Sequence, residues 1–463
     1  MAIEIAQLES YLENFTEFSK ETAGDTPPWL REMRDAAFSR FCAVGFPTTR
    51  QEDWRFTSVA ALARTQFRLA RGNPVPFTVS ELVTWRMEGA VARMVFVDGR
   101  FAPELSTWGK LPEGVMVNGL HKEIAYRPEA VAKHLGRYLD IARDSFCALN
   151  TAFAEDGAYV HVSRGAVVKQ PIHLLFISTS SGVPAMTHPR NLIVVEDEGQ
   201  ASIVEDYVSL GGETPALSNA VTELVAGGDA TVAHTMIERE HFQTYNFSTL
   251  RIEQARSANV ASHSLLLGGA LVRNNVHPVL AGEGGECLIN GLFIGSGQQH
   301  LDNYMLVEHA SPHCASRQFY NGILDEQAHG VFHGRIIVHK DAQKTDAKQT
   351  NRNLLLADDA QIDTKPQLEI YADDVKCTHG ATIGQIEESA LFYLRSRGIG
   401  EVEARRLLIQ AFAGECLDRM KPGAVRDYAE TVVQQRLLSL AHAASPMSEG
   451  GEGDWGRNGE EPE

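Results

Sequence analysis

Apolar side chains recur three and four residues apart between Ile3 and Lys20, at Ile5, Leu8, Leu12 and Phe15, which predicts an amphipathic helix. A second helix is expected behind Pro27-Pro28, where proline suits the first turn, and ends at Gly45. In the run MVFVDGRF, Met94 to Phe101, a two-residue Asp98-Gly99 turn divides apolar stretches and predicts a hairpin. Residues 1–145 read as a mainly helical module with some strand.

Beyond Ala158 the texture changes to short β-branched runs with alternation, such as YVHVSRGAVV, HLLFIST and NLIVVEDEG, each closed by Gly, Asp or Asn. Helical spacing returns only past Glu387, where Ala404, Leu407, Leu408, Ala411, Phe412 and Cys416 mark one face, and a further helix is expected from Arg426 to His442. Gly398 and Pro422-Gly423 divide this region into three helices, a small bundle capping what precedes it. The last segment, 445–463, is Gly-rich and acidic and is expected to stay unstructured.

Between the two helical regions the sequence repeats. Asn191, Asn219, Phe247, Asn275 and Asn303 follow one another at a constant interval, each ahead of an apolar stretch and a polar corner. The corners read EDEGQASIV, AGGDATVAH, ARSANVASH, GEGGECLIN and EHASPHCAS, with weaker versions DEQAHGVFHG and ADDAQIDTKP, seven in all. A strand unit repeated at such spacing buries its apolar face only by stacking on its neighbours, so residues 146–384 are expected to form a parallel β-helix. A β-sandwich, the rival, needs no such period.

Composition narrows the function. Lys plus Arg total 42 against 60 Asp plus Glu, a net charge of −18, and nucleic acid or an anionic membrane would be repelled. The tail carries six acids and one base, so the body is acidic without it. The six cysteines lie far apart with no CxxC, which suggests reduced thiols rather than a disulfide framework or zinc knuckle. The opening MAIEIAQLES has no basic or apolar leader, and no apolar run reaches membrane-spanning length, so a soluble cytoplasmic protein is expected.

Motifs for ATP hydrolysis, dinucleotide binding and serine or zinc hydrolysis (GxxxxGK[ST], a complete GxGxxG, GxSxG, HExxH) do not occur. Gly295-Ser296-Gly297 has His300 where a dinucleotide loop needs its third glycine and reads as a turn. His309/His313 and His329/His333 are four apart, but on a strand that is ~13 Å, too far to share one ion. The acidic pairs Asp358-Asp359 and Asp373-Asp374 read as solvated corners. Most informative is YADDVKCTHGATIGQ, Tyr371 to Gln385. If extended, it turns Cys377 and His379 to one face ~6.6 Å apart, a spacing suited to a multi-atom iron–sulfur centre or, equally, to packing at a sheet end. Lys376 would favour the thiolate modestly.

The run TDAKQTNRNLLLADDAQIDTKPQLEIYADDVKCTHGATIGQIEESALFYLRSRG, Thr345 to Gly398, closely resembles the C-terminal signature of the SufB/SufD family of iron–sulfur cluster assembly proteins. GFPTTRQEDWRFT (Gly45 to Thr57), VFVDGRF (Val95 to Phe101) and SHSLLLGGALVRNN (Ser262 to Asn275) resemble family segments in the same order. Gly380 follows His379 where SufB-like members carry an acidic residue, which favours the SufD branch over a SufB-type paralogue acting as main scaffold.

The resemblance implies a right-handed parallel β-helix between helical regions and a non-catalytic scaffold subunit. It implies pairing with SufB in a heterodimer, or with a second copy when alone, and binding of the SufC ATPase through residues 385–444, with ATP held by SufC. No cofactor would be tightly bound. A transient iron–sulfur cluster would meet His379 at the SufB interface, with Cys377 the weaker candidate. A β-helix enzyme acting on polysaccharide, or an iron carrier, is the competing class.

Overall fold

The computed structural model describes residues 2–70, 82–179, 182–212 and 214–443, and the expected unstructured tail lies outside them. The chain between Gln200 and Gly384 alternates, strand by strand, between two sheets of eleven strands each. Every strand there but the last two pairs in parallel with a strand on either side in its own sheet, as Gln200–Leu210 does with Ile172–Thr179 and Thr231–Arg239. This is a parallel β-solenoid of about seven turns and excludes a sandwich.

The constant period is only local. Leu217 pairs with Tyr245, one repeat interval on, but the step from Tyr245 to its partner Leu271 is shorter and that from His329 to Gln361 is longer. Phe247 is therefore opposite Arg273, and Asn275 opposite Thr249. Strands keep their length while corners absorb the differences, so a fixed-period reading drifts out of register.

The corners themselves divide between two edges. Five of the seven lie on one edge, where a residue with positive φ (Glu198, Asp229, Ser257, Gly284, His313) turns the chain. Each donates its N–H to a carbonyl of the following coil: Glu198 to Gly228 at 2.8 Å, Asp229 to Arg256 at 2.9 Å, Ser257 to Glu283 at 2.8 Å, and so on to His313 and Gln343 at 2.9 Å. DEQAHGVFHG and ADDAQIDTKP belong to the opposite edge, since each opens a strand of the other sheet, His329–Val338 and Gln361–Ile370. The next member of the first edge is instead Lys344, with φ 63°.

Inside the coils alternate side chains meet in one continuous core that includes Ile203, Val232, Val260, Ile289 and Tyr320. Small alanines (Ala230, Ala258, Ala328, Ala342) sit fully buried at the corners, where there is no room for a longer chain. The Asp98-Gly99 hairpin is present, with both residues at positive φ, and its strand Ala92–Val97 also pairs in parallel with Ile172–Thr179. The sheets thus continue into the N-terminal module.

Helices Ala2–Glu21, Pro28–Val44 and Ser145–Ala152 pack Tyr11, Phe15, Phe38, Phe41, Phe146 and Phe153 over Leu217, Phe247 and Leu271 of the first sheet. Trp54, from the GFPTTRQEDWRFT segment, stacks on Phe146 and lies under the Arg273 guanidinium at 3.9 Å. Thr57 donates to buried Asp302 at 2.6 Å. That segment clamps the helical module to the solenoid.

The C-terminal helices, Glu388–Ser396, Glu401–Leu417 and Ala424–Ala443, do not close the solenoid's end. The last two lie along the outer face of the second sheet, with Cys416, Leu417, Val433 and Leu437 over Val204, Ile237, Leu265 and Leu292. Buried Asp206 pins them by accepting two bonds from Arg239 (3.0 and 2.7 Å) and one from the Tyr428 hydroxyl (2.6 Å). Nearby, Arg436 donates to Ser296 Oγ at 2.9 Å and Gln299 Oε1 at 2.7 Å.

Arg436 also faces a buried carboxylate pair. Glu238 accepts from the backbone N–H groups of Glu240 and Gly268, and Glu240 accepts from Ser178 Oγ and Asn246 Nδ2. Burial pushes both up toward neutrality, and the charge of Glu240 raises Glu238 further. A carboxyl raised in the folded state binds its proton more tightly there than when unfolded. Stability is therefore full below the ordinary carboxylate range and falls as pH rises toward 8. Urea unfolding from pH 5 to pH 8 should show a decline on the order of a few kcal/mol. Glu240→Gln should flatten it; an unchanged slope in the variant would refute the assignment.

Candidate functional site

Each coil satisfies the backbone groups of the coil beneath it, so the last coil is left with free edges. Among the described residues Lys376–Gly384 ends one sheet, pairing only with Asp346–Leu355, and Gln361–Ile370 ends the other, pairing only with His329–Val338. Pro366 stands mid-strand in the latter and lacks a donor. Along Lys376–Gly384 every residue except Cys377 is exposed.

Cys377 and His379 both lie on this terminal strand. Register places Cys377 opposite Ala347 and His379 opposite Gln349, both buried positions on the inward side of their strand. Cys377 packs against the rim of the core, and His379, next on the same face, stands exposed at the mouth of the solenoid. Opposite Gly380 there is open space, since a side chain there would meet nothing within 4 Å.

Beneath His379 runs a polar column that sequence reading missed. In register below it lie Gln349 and Gln318, with Gln349 Nε2 donating to Gln318 Oε1 at 2.9 Å. Gln349 Oε1 and Gln318 Nε2 are buried without partners. In the sequence the column was visible only as two distant glutamines, a spacing meaningless until the coil lengths were known.

The thiol differs from expectation. Burial pushes the Cys377 pKa up, with Asp346 adding to the shift, while Lys376 points to the other face and does not offset it. Cys377 is thus a neutral thiol near pH 7 and a weaker ligand than an exposed cysteine. Among the described residues no group of three or more His, Cys, Asp or Glu side chains could enclose a metal ion. The pair supplies at most two donors, and other ligands for a cluster must come from elsewhere.

The remaining histidine pairs are separate. His309 is buried inside and meets Ser316 Oγ at 2.8 Å, while His313 forms a corner. His329, half-buried, meets Asp363 at 2.8 Å, and His333, buried, meets Gln367 at 2.8 Å. Gly295-Ser296-Gly297 is a corner, as its spacing suggested. Asp358-Asp359 and Asp373-Asp374 sit at exposed corners, Asp374 paired with Lys344.

A second surface flanks the open end. Phe392, Tyr393 and Val402, on the first two C-terminal helices, are 74 %, 56 % and 78 % exposed, and Tyr371 and Ile383 beside the terminal strands are exposed as well. So much uncovered apolar surface marks a contact region. The neighbouring helix is tied to the sheet by the Arg352–Glu415 ion pair and by Asn321 Nδ2 donating to the Phe412 carbonyl at 2.9 Å. No described helix is long and apolar enough to cross a membrane.

Two family models match the chain: the SufBD core domain of the SUF iron–sulfur cluster assembly system over residues 176–412, and the SufBD N-terminal region over residues 5–174. An iron–sulfur cluster assembly SufBD family protein of Synechocystis is 36 % identical over 88 % of this chain and 91 % of its own. The iron–sulfur cluster assembly protein SufD of Escherichia coli is 33 % identical over 85 % of this chain and 90 % of its own. SufD of Bacillus subtilis is 24 % identical over 93 % and 98 %.

The Cys377 environment is open to direct test. Alkylation followed by mass spectrometry should show its rate still rising above about pH 10, where a free cysteine of pKa about 8.5 has levelled off. A plateau near pH 8 would contradict the raised pKa.

Proposed function

The chain belongs to the SufB/SufD family of iron–sulfur cluster assembly proteins and is of the SufD type, and on that premise we propose that it is a non-catalytic scaffold subunit presenting His379 to a nascent cluster at a seam with SufB. The observation that carries this reading is the position of His379: an exposed imidazole on the inward face of a terminal strand with one free edge. A partner strand added to that edge would gain backbone hydrogen bonds and meet the imidazole in the same step. The cluster is cargo, assembled from iron and sulfide, and the imidazole is one of its ligands. Cys377, a neutral thiol one step deeper, is a secondary contact.

SufC, on this reading, docks on the exposed Phe392, Tyr393 and Val402 surface and supplies the nucleotide chemistry for which this chain has no motif. Displacement of these helices reaches the seam through Arg352, since its strand is the one that holds Lys376–Gly384. Coils packed one on another transmit such a movement with little loss.

His379→Ala should leave a complex with SufB and SufC intact but lower its iron and sulfide content, measured anaerobically after co-purification, to near background. Normal cluster content in that variant would sink the role. Phe392→Asp with Val402→Asp should weaken SufC binding by tenfold or more in a pull-down titration without shifting the melting temperature, because both side chains are exposed. Undiminished SufC capture would place the contact elsewhere.

A further inference from the structure

Far from the open end, a cavity of about 540 Å³ lies beside the strand Ala92–Val97. Leu82 and Met87, both buried, and exposed Val83 give it an apolar wall. Arg86 and Arg93 line it as well. Among the described residues neither guanidinium has an acidic partner, although the chain carries a net charge of −18 and its buried Arg190 and Arg273 each pair with a carboxylate. Arg93 Nε is sealed from water with no hydrogen-bond partner. Glu88 stands at the rim, and the charged and polar groups that act on Arg93 are Arg86 and the Tyr428 hydroxyl.

Two like charges placed together, one with an unmet donor, cost free energy unless something answers them. We propose that this cavity is a binding site for a small organic oxyanion, its phosphate or carboxylate held between Arg86 and Arg93 and its apolar body against Leu82, Val83 and Met87. An anion there supplies the missing acceptor to Arg93 Nε and removes the repulsion between the guanidinia. Planar guanidinium forks suit both carboxylate and phosphate, so the oxyanion is the shared chemistry. Burial and the neighbouring charge lower the Arg93 pKa, as an unanswered cation pair requires.

Isothermal titration calorimetry of the full chain at low ionic strength, with phenyl phosphate, benzoate and inorganic phosphate as probes, tests the site. Phenyl phosphate or benzoate should bind at millimolar concentration or tighter, and the stronger of the two identifies the oxyanion. Arg93→Gln and, separately, the exposed Arg86→Gln should each weaken binding about tenfold, the loss of one charge-assisted bond. Arg86→Gln removes an exposed side chain and leaves the fold intact, so the test survives if Arg93→Gln unfolds. No binding by any probe, or wild-type affinity retained in both variants, would overturn the site. Inorganic phosphate binding as tightly as phenyl phosphate would overturn its organic character.

Discussion

A stacked array of parallel strands satisfies each backbone amide only through the coil above or below, and everything distinctive about this molecule follows from that dependence. Corners at positive φ extend it beyond the strands, because their N–H groups are also answered one coil on. Interior strands are paired along both edges. The last coil has no successor, and its two strands, Gln361–Ile370 and Lys376–Gly384, are left open with His379 on one of them. The candidate site is the place where the stacking rule runs out, rather than a pocket cut into the fold.

The same stacking explains how the flanking helices are held. A sheet built for stacking shows an outer face to solvent, and both outer faces are partly apolar here. Phe146 over Phe247, and Val433 with Leu437 over Ile237 and Leu265, cover them. Polar anchors then set the alignment: Asp206 with Arg239 and Tyr428 on one face, Thr57 with Asp302 on the other. Arg190 and Glu223, fully buried and 2.6 Å apart, join the sheet to the loop at Gly136 and Tyr138, whose amides Glu223 also accepts. Buried charges of this kind tolerate loss of a partner poorly and so fix one arrangement.

Much of the architecture was legible because period-two strands and acidic, Gly-marked corners are local signals. The hairpin at Asp98-Gly99 and the alternation placing Cys377 and His379 on one face needed no more than neighbouring residues. The exact period was not legible, since coils of unequal length match no single offset, and the corners at Glu326 and Lys344 look alike in sequence while lying on opposite edges. The Gln318–Gln349 column and the Asp206 cluster join residues that only register or helix docking brings together. Nor does spacing tell whether a thiol is sealed: Lys376 beside Cys377 suggested an activated thiolate, and burial outweighs it.

The two ends of the solenoid are unlike. At the N-terminal end the second sheet finishes in Arg100–Phe101 and Thr107–Trp108, two residues each and antiparallel to their neighbour, whereas the opposite end presents the far longer strands Gln361–Ile370 and Lys376–Gly384. Backbone groups able to take up a further strand are thus concentrated at one pole of the rod, which gives the solenoid a direction.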